Sequence, residues 1–302
     1  MRFNFIKGHF ACLLALLVSY NVLAQFDKEQ VESLINSAEK ARTLNSDSAI
    51  VLAQKSVNLA SDIDDKFLLL KAEHTLGYCY YNRNDFELAL NHLQKSLELS
   101  RELNQELWIA INLNRIGNVY QLRSDFVQAL NSYRSALDIN ERIKDKIQIA
   151  RTQVNIGTVY SLTGSYPKAI EHMLQALETY EKEDDKEGMA WTSLSIARLF
   201  NRLEVYDKAL QYNEIALNQY RNLRNQNGIT LSLTEQANIY YHSGLNDKAL
   251  EIAKQVLAYN SQTQNTHAMA ANNLLMGIIY FELNDLDKAT ESLEKALNLK
   301  IS

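Results

Sequence analysis

Few residues in this sequence combine the types and spacing that catalysis requires. Two serine–lysine pairs, Ser37 with Lys40 and Ser292 with Lys295, match the spacing of some acyl-transfer enzymes, in which the lysine activates a serine nucleophile. The partner motifs of those enzymes are missing, and lysine is common on helix surfaces, so we attribute both pairs to chance. The sequence also lacks GxGxxG, GxxxxGKS/T, HExxH and CxxC motifs. It therefore gives no support for a phosphate-binding loop or a zinc site.

The acidic and histidine residues give no stronger catalytic signal. Pairs such as Asp184–Asp185 fall between predicted helices, where solvated turn residues are more common than general acids. The histidines are isolated from one another, and His92 and His172, which share a position in the repeat, are too far apart to share a metal ion. We therefore predict that the protein is not an enzyme and has no catalytic residues, metal site or cofactor.

The charge balance argues against nucleic acid as a partner. Lysine and arginine together number 31, aspartate and glutamate 36, and the formal net charge is −5. Surfaces that bind nucleic acid or anionic membranes need a basic excess instead. The hydrophobic fraction of 46% is that of a globular protein. With one proline and nine glycines, the chain has too few turn residues for an all-β fold and favours long helices with short connections.

The N-terminal segment 1–24 has the pattern of a secretory signal peptide. Two basic residues precede an apolar run over 10–18. Val22 and Ala24 supply the small residues for cleavage before Gln25. We expect an exported protein, periplasmic or secreted, with no membrane span after signal cleavage; a retained anchor and a cytosolic chain are the alternatives. The mature chain keeps only Cys79, so it forms no internal disulfide, and we expect this thiol to be buried.

A 40-residue repeat organises the rest of the chain. Alanine recurs at this spacing without insertion or deletion, at Ala49, Ala89, Ala129, Ala169, Ala209, Ala249 and Ala289. Twelve residues before these alanines lie the mostly small residues Ser37, Gly77, Gly117, Gly157, Ala197, Ala237 and Gly277. A small residue there lets the two helices of a repeat approach closely, and a bulky side chain would force them apart.

Each repeat has the pattern of two helices. In the third repeat, Leu113, Ile116, Gly117 and Tyr120 recur at i, i+3, i+4 and i+7 and form one apolar helix face. Asp125 is a suitable N-cap for the second helix. Helices of about 12–15 residues are marginal alone in water. Each helix of a repeat therefore depends on its neighbours for stability.

The motif Leu76-Gly77-x-x-Tyr80, followed by Ala89, resembles a tetratricopeptide repeat. The usual unit has about 34 residues, and the longer unit here resembles a 40-residue subclass with extended helices. The resemblance implies an all-α fold, a right-handed α-solenoid (superhelix) of seven helix-turn-helix units over residues 25–302. These units cover approximately residues 27–66, 67–106, 107–146, 147–186, 187–226, 227–266 and 267–302.

The resemblance also implies a binding groove. In the family, the first helices of the units line a concave groove that holds peptides or helices. The side chains expected to face this groove are Arg115, Asn118, Arg151, Asn155, Thr158, Trp191, Arg198, Asn201, Arg202, Glu235, Asn238 and Tyr241. Asparagine can pair with a peptide backbone, and arginine can hold a carboxylate through two parallel hydrogen bonds. We therefore predict a protein or peptide partner that is acidic or has a free C-terminal carboxylate.

The ends of the array depart from this polar pattern. Apolar and aromatic residues are expected on the groove face at its two ends, namely His74, Tyr78 and Tyr81, and Leu274, Leu275, Ile278 and Phe281. The last helix has no polar cap, which predicts either self-association through the C-terminal edge or a longer native polypeptide. Asn213 stands where other repeats have Leu93, Tyr133 and Met173, and Gln236 stands where others have Ile116 and Ile156. We therefore expect looser packing in the fifth and sixth repeats.

These observations favour a nonenzymatic scaffold of the bacterial cell envelope that binds a peptide or protein segment in its groove. The alternative is an extracytoplasmic sensor or input region of a signal-transduction regulator. The output part of such a regulator, a histidine kinase or a transcription regulator, would then lie outside this chain.

Overall fold

The computed structural model describes residue 25 and the ranges 27–42, 46–262 and 266–301, so the predicted signal peptide over 1–24 lies outside the described residues. All regular structure within these ranges is α-helical. The helices are α1 (27–41), α2 (Ser46–Asp62), α3 (Lys66–Asn82), α4 (Phe86–Glu102), α5 (Glu106–Leu122), α6 (Phe126–Ile143), α7 (Lys146–Leu162), α8 (Tyr166–Lys182), α9 (Lys186–Arg202), α10 (Tyr206–Asn222), α11 (Gln226–His242), α12 (Asn246–Gln262), α13 (Thr266–Glu282) and α14 (Leu286–Ile301). The all-α prediction is confirmed.

The helices alternate between a first and a second helix of each repeat, so odd-numbered helices are first helices. From α3 onward, the first helices begin at a constant spacing, at Lys66, Glu106, Lys146, Lys186, Gln226 and Thr266. From the second repeat onward, the turn inside each repeat contains one residue with φ between 60 and 77°, and these residues are Asn84, Ser124, Gly164, Glu204, Gly244 and Asn284. This left-handed conformation ends the first helix and lets the chain reverse into the second. The N-cap predicted at Asp125 is confirmed, because its carboxylate accepts a hydrogen bond of 3.2 Å from the Gln128 amide.

The chain divides into two compact parts, an N-terminal half that ends at Asp145 and a C-terminal half that begins at Lys146. The N-terminal half contains α1–α6, and one of its core clusters consists of Ala89, Leu93, Leu97, Ile116 and Val119. The C-terminal half contains α7–α14, and its core includes Ala169, Met173, Ile196, Leu199 and Ile239. Each half therefore has its own apolar interior.

Close contact between the two helices of a repeat occurs where the sequence places small residues. The seven repeated alanines are all buried, with at most 3% of their surface exposed. A Cβ atom added at Gly117 would lie 2.5 Å from the ring of Tyr133, and one added at Gly77 would lie 2.8 Å from Cγ of Leu93. Real Cβ atoms do not approach other atoms so closely, so a larger residue would push the helices apart, as predicted.

The described helices also bear on two smaller expectations. Cys79 is fully buried, and this burial raises the pKa of its thiol to about 11, so the thiol is unreactive as expected. None of the described helices is both long and apolar enough to cross a bilayer.

The fifth repeat contains a buried amide without a partner. Asn213 is 1% exposed, and neither Oδ1 nor Nδ2 of its side chain has a hydrogen-bond partner among the described residues. The equivalent residues Leu93 and Met173 are buried apolar side chains. A buried amide without a partner keeps its desolvation cost, about 1–3 kcal/mol, so this repeat is less stable than its neighbours at this contact.

The first prediction concerns the contact between Gly117 and Tyr133. Gly117→Ala should lower the free energy of unfolding by about 1–2 kcal/mol, because overpacking against the ring exceeds the gain in helix propensity. In a Tyr133→Ala background the same substitution should cost almost nothing, since it recreates the natural pair Ala237–Ala253. Urea unfolding of the four chains measures this coupling, and an equal loss in both backgrounds would contradict the proposed contact.

The second prediction concerns Asn213. Asn213→Leu should raise the free energy of unfolding by about 1 kcal/mol or more, because leucine has nearly the shape of asparagine and no polar atoms to desolvate. Thermal unfolding followed by circular dichroism measures the change. Asn222→Leu, at the end of the same helix, is a control for general effects of added hydrophobicity. A midpoint below that of the unsubstituted chain would show that the amide has a stabilising role.

Candidate partner-binding site

The N-terminal half carries two arginines on one aromatic ring. The Cζ atoms of Arg42 and Arg115 lie 3.7 and 3.9 Å from the ring centroid of Tyr78, at distances typical of cation–π contact. Nε and one terminal nitrogen of Arg42 are buried without a hydrogen-bond partner among the described residues. Arg42 also makes no ion pair within that part of the chain. Two positive charges are thus concentrated around Tyr78, which is itself half-buried.

A buried polar network lies beside this stack. His74 is 8% exposed, and its Nδ1 lies 2.8 Å from Oδ1 of Asn112. The Asn112 amide nitrogen donates to the hydroxyls of Ser96 and Ser100 at 2.9 and 3.1 Å. Burial, together with the positive charges of Arg115 and Arg42, lowers the pKa of His74 to about 4, so the ring is neutral. The expectation that His74 faces the groove was wrong, because its polar atoms are needed between the repeats.

Neighbouring aromatic residues complete this interface. The ring centroid of Trp108 lies 5.4 Å from that of His74 and 6.4 Å from that of Phe67, which belong to the preceding repeat. Trp108 therefore packs between repeats. The predicted groove residue Asn118 is half-buried and accepts a hydrogen bond of 2.7 Å from the hydroxyl of buried Tyr133. Its amide therefore has a structural partner already.

In the C-terminal half, the predicted residues of the fourth and fifth repeats are spread along the first helices. Arg151 is exposed and interacts with the hydroxyl of Tyr180; burial raises the pKa of that hydroxyl to about 12, and the Arg151 charge opposes this rise. Asn155 is half-buried, and the Thr158 hydroxyl donates to the Val154 carbonyl oxygen at 2.8 Å. Trp191 is 39% exposed, which makes it an accessible aromatic surface.

Further along the same half, four polar side chains form a chain of contacts across repeats five and six. Glu235 is 7% exposed, and its Oε1 accepts a hydrogen bond of 2.8 Å from Nδ2 of Asn201. Nε of Arg198 lies 3.5 Å from the other carboxylate oxygen. Oδ1 of Asn201 lies 2.9 Å from Nδ1 of His242. The sequence predicted three of these residues for the site, and the structure brings those three together.

A cleft of about 470 Å³ borders this network and shares Asn201 and His242 with it. Its lining residues are Asn201, Arg202, Glu204, Tyr206, Tyr241, His242, Gly244 and Glu282. The Tyr241 hydroxyl donates to Oε1 of Glu282 at 2.7 Å, and this bond raises the pKa of Tyr241. A terminal nitrogen of Arg202 lies 3.4 Å from the Ser161 carbonyl oxygen. The remaining predicted residue, Asn238, is half-buried and does not line the cleft.

Sequence reasoning missed several functional candidates. Arg42 was overlooked because the first repeat diverges from the others. Glu204 lies in the turn that joins the two helices of a repeat, and Tyr206 begins the second helix α10, whereas groove residues were expected on first helices alone. A comparison of the last residues of successive first helices, Arg202, His242 and Glu282, could have found the cleft, since these residues occupy equivalent positions.

The other surfaces offer less chemistry. Leu274, Ile278 and Phe281 are exposed as expected, whereas Leu275 is partly buried and packs against the core of the sixth and seventh repeats. Within the described part of the chain, no three histidine, cysteine, aspartate or glutamate side chains are grouped so that they could hold a metal ion.

The third prediction concerns the buried histidine. Because the pKa of His74 is about 4 in the folded protein and that of an ordinary histidine is 6.5, the unfolded chain binds more protons between these values. Stability should fall by about 2 kcal/mol between about pH 7 and pH 5 through this residue. His74→Asn, which keeps a donor to Asn112, should reduce the loss by that amount. Equal pH slopes in urea unfolding of both chains would contradict this assignment.

Comparison with known proteins places the chain in a family. The tetratricopeptide repeat model matches residues 68–142, 108–182, 148–222 and 228–302, which together cover more than half of the chain. Comparison with curated proteins gave no significant match.

Solved structures share the fold at low sequence identity. Aspartyl phosphate phosphatase F from Bacillus subtilis is 13% identical with a TM-score of 0.71, over 94% of this chain and 74% of that one. The apo form of RapI is 17% identical with a TM-score of 0.65, over 90% and 97% of the two chains. The Rap conjugation gene regulator of plasmid pLS20, solved with the Phr* peptide, is 16% identical with a TM-score of 0.70, over 88% and 72%. These similarities show a helical solenoid of repeats. The family model, matched over more than half of the chain, shows that the chain belongs to the tetratricopeptide repeat family.

Proposed function

We propose that the protein is a nonenzymatic scaffold that binds an acidic segment of a partner protein or peptide on the exposed face of its first helices. The observation that carries this proposal is the pair of arginines on Tyr78. Arg42 makes no ion pair with a described residue, so its guanidinium charge supports a negatively charged partner.

Charge and neighbouring residues support an anionic ligand. The chain has a net charge of −5, so a local positive site stands out against the rest of the surface. His74 beside the stack is neutral at physiological pH and adds no charge of its own. A carboxylate of the partner could accept hydrogen bonds from a guanidinium group in the bidentate geometry that arginine favours. In the C-terminal half, exposed Arg151 and Trp191 offer further charged and aromatic contacts.

The cellular setting and the partner class belong to the same proposal. The leader-like segment over 1–24 supports export, so we place the interaction in the bacterial cell envelope. A related fold, the Rap regulator, was solved with a peptide, which supports a peptide or a protein segment as the ligand here. The 40-residue spacing supports assignment to the longer tetratricopeptide subclass.

The fourth prediction tests the acidic partner. A fluorescein-labelled decaglutamate should bind the full chain, and Arg42→Gln with Arg115→Gln should weaken this binding about tenfold, because two cationic contacts are lost. Fluorescence anisotropy at low ionic strength measures both affinities.

The matched control keeps the same change in net charge. Arg101→Gln with Arg123→Gln removes two exposed positive charges from the same half, and it should leave binding within about twofold of the unsubstituted chain. Equal weakening by both pairs would mean that net charge alone governs binding. A decalysine that binds as tightly as decaglutamate would also overturn the proposal.

A further inference from the structure

The cleft above the Glu235 network differs in polarity from the arginine stack of the N-terminal half. We propose that this cleft binds the ammonium or guanidinium group of a basic side chain on a polypeptide partner. The proposal rests on the proposed function only in assuming a polypeptide ligand, since it concerns other residues and the opposite charge. Its support is the hydrogen-bonding polarity of the side chains that line the cleft.

The buried network fixes the polarity of His242. The Glu235 carboxylate, ion-paired with Arg198, can only accept hydrogen bonds, so the Asn201 atom that faces it must be the donating Nδ2. Oδ1 of Asn201 therefore faces His242 and must accept from Nδ1–H at 2.9 Å. When Nδ1 carries the proton of a neutral imidazole, Nε2 is a hydrogen-bond acceptor. His242 thus offers an acceptor to a ligand in the cleft.

Tyr241, Glu282 and Glu204 also offer acceptors in the cleft. The Tyr241 hydroxyl uses its proton in the 2.7 Å hydrogen bond to Glu282, so its oxygen lone pairs remain for a donor. Glu282 retains a second carboxylate oxygen. The Glu204 side chain makes no hydrogen bond or ion pair with any described residue, although it lines the same cleft. A ligand that fits this arrangement has several N–H donors and a positive charge.

The remaining lining residues are compatible with a cation. Arg202 is the cationic member of the lining set, and its terminal nitrogen contacts the Ser161 carbonyl oxygen at 3.4 Å. Two carboxylates against one guanidinium leave the lining negative. Tyr206 and Tyr241 add aromatic surface, which stabilises guanidinium and ammonium groups. A cleft of about 470 Å³ can hold the end of one long side chain.

Nuclear magnetic resonance of the full chain tests this proposal with N-acetyl-arginine amide as the probe. Long-range ¹H–¹⁵N spectra should show His242 protonated at Nδ1, and the probe should shift the Nε2 signal in a saturable manner. Tyrosine ring signals, assigned with Tyr241→Phe, should shift in parallel. N-acetyl-lysine amide should act in the same way, whereas N-acetyl-glutamate amide should not.

Matched variants separate the cleft from general electrostatics. Glu204→Gln with Glu282→Gln should weaken the affinity of the chain for the probe about fivefold or more, because both carboxylate acceptors lose their charge. Glu181→Gln with Glu214→Gln makes the same change in net charge at exposed sites of the same half, and it should leave affinity within about twofold. Equal effects of the two pairs would overturn the site.

Further outcomes distinguish the ligand source. Acetyl-Gly-Gly-Arg-Gly-Gly amide should bind at least as tightly as the single residue, whereas much tighter binding of putrescine would overturn a polypeptide ligand. Protonation of His242 at Nε2, or equal shifts by the glutamate probe, would overturn the polarity argument. The cleft variant should bind decaglutamate like the unsubstituted chain, so failure of the acidic-segment proposal and failure of this one give different results.

Discussion

The close approach of two helices within each repeat is the constraint on which the other features depend. Helices such as α3 and α5 gain most of their stability from burial against their neighbours rather than from helix propensity. That burial requires a small residue where the two helices approach, as at Gly117 opposite Tyr133. Because the repeated alanine is buried in the second helix as well, the contact recurs at an equivalent place along the chain. The polar side chains of the first helices are positioned by this packing.

Much of the fold could be predicted because it depends on residues close in sequence. The period of the apolar positions, the N-cap at Asp125 and the contact of Gly117 all arise within one repeat. The site was less predictable because its polarity depends on contacts between repeats. His74 has the sequence position of a surface residue, yet Asn112 of the next repeat holds it in the interior. The value of Arg42 as a site residue likewise depends on Tyr78, which belongs to another repeat.

The two halves present sites of opposite electrostatic character. In the N-terminal half, arginine side chains surround an aromatic ring, and the neighbouring histidine is kept neutral by burial. In the C-terminal half, a buried carboxylate orients an amide, which in turn orients a histidine at the surface. In the C-terminal half, side chains beneath the surface thus fix the hydrogen-bonding role of His242, whereas in the N-terminal half burial keeps His74 uncharged beside the arginines. Charge counts of exposed residues alone would therefore describe either site poorly.

The buried polar contacts also have a consequence for the order of the modules. The Gly117–Tyr133 contact lies within one repeat, so it would survive if that repeat were moved elsewhere in the array. The contacts His74–Asn112 and Asn201–Glu235 each join two successive repeats, and a shuffled neighbour would leave their polar atoms desolvated and unpaired. These few amides and ring nitrogens therefore restrict which repeat can follow which along the chain. We therefore expect whole repeats to be exchanged less readily at these two interfaces than at interfaces formed by apolar side chains alone.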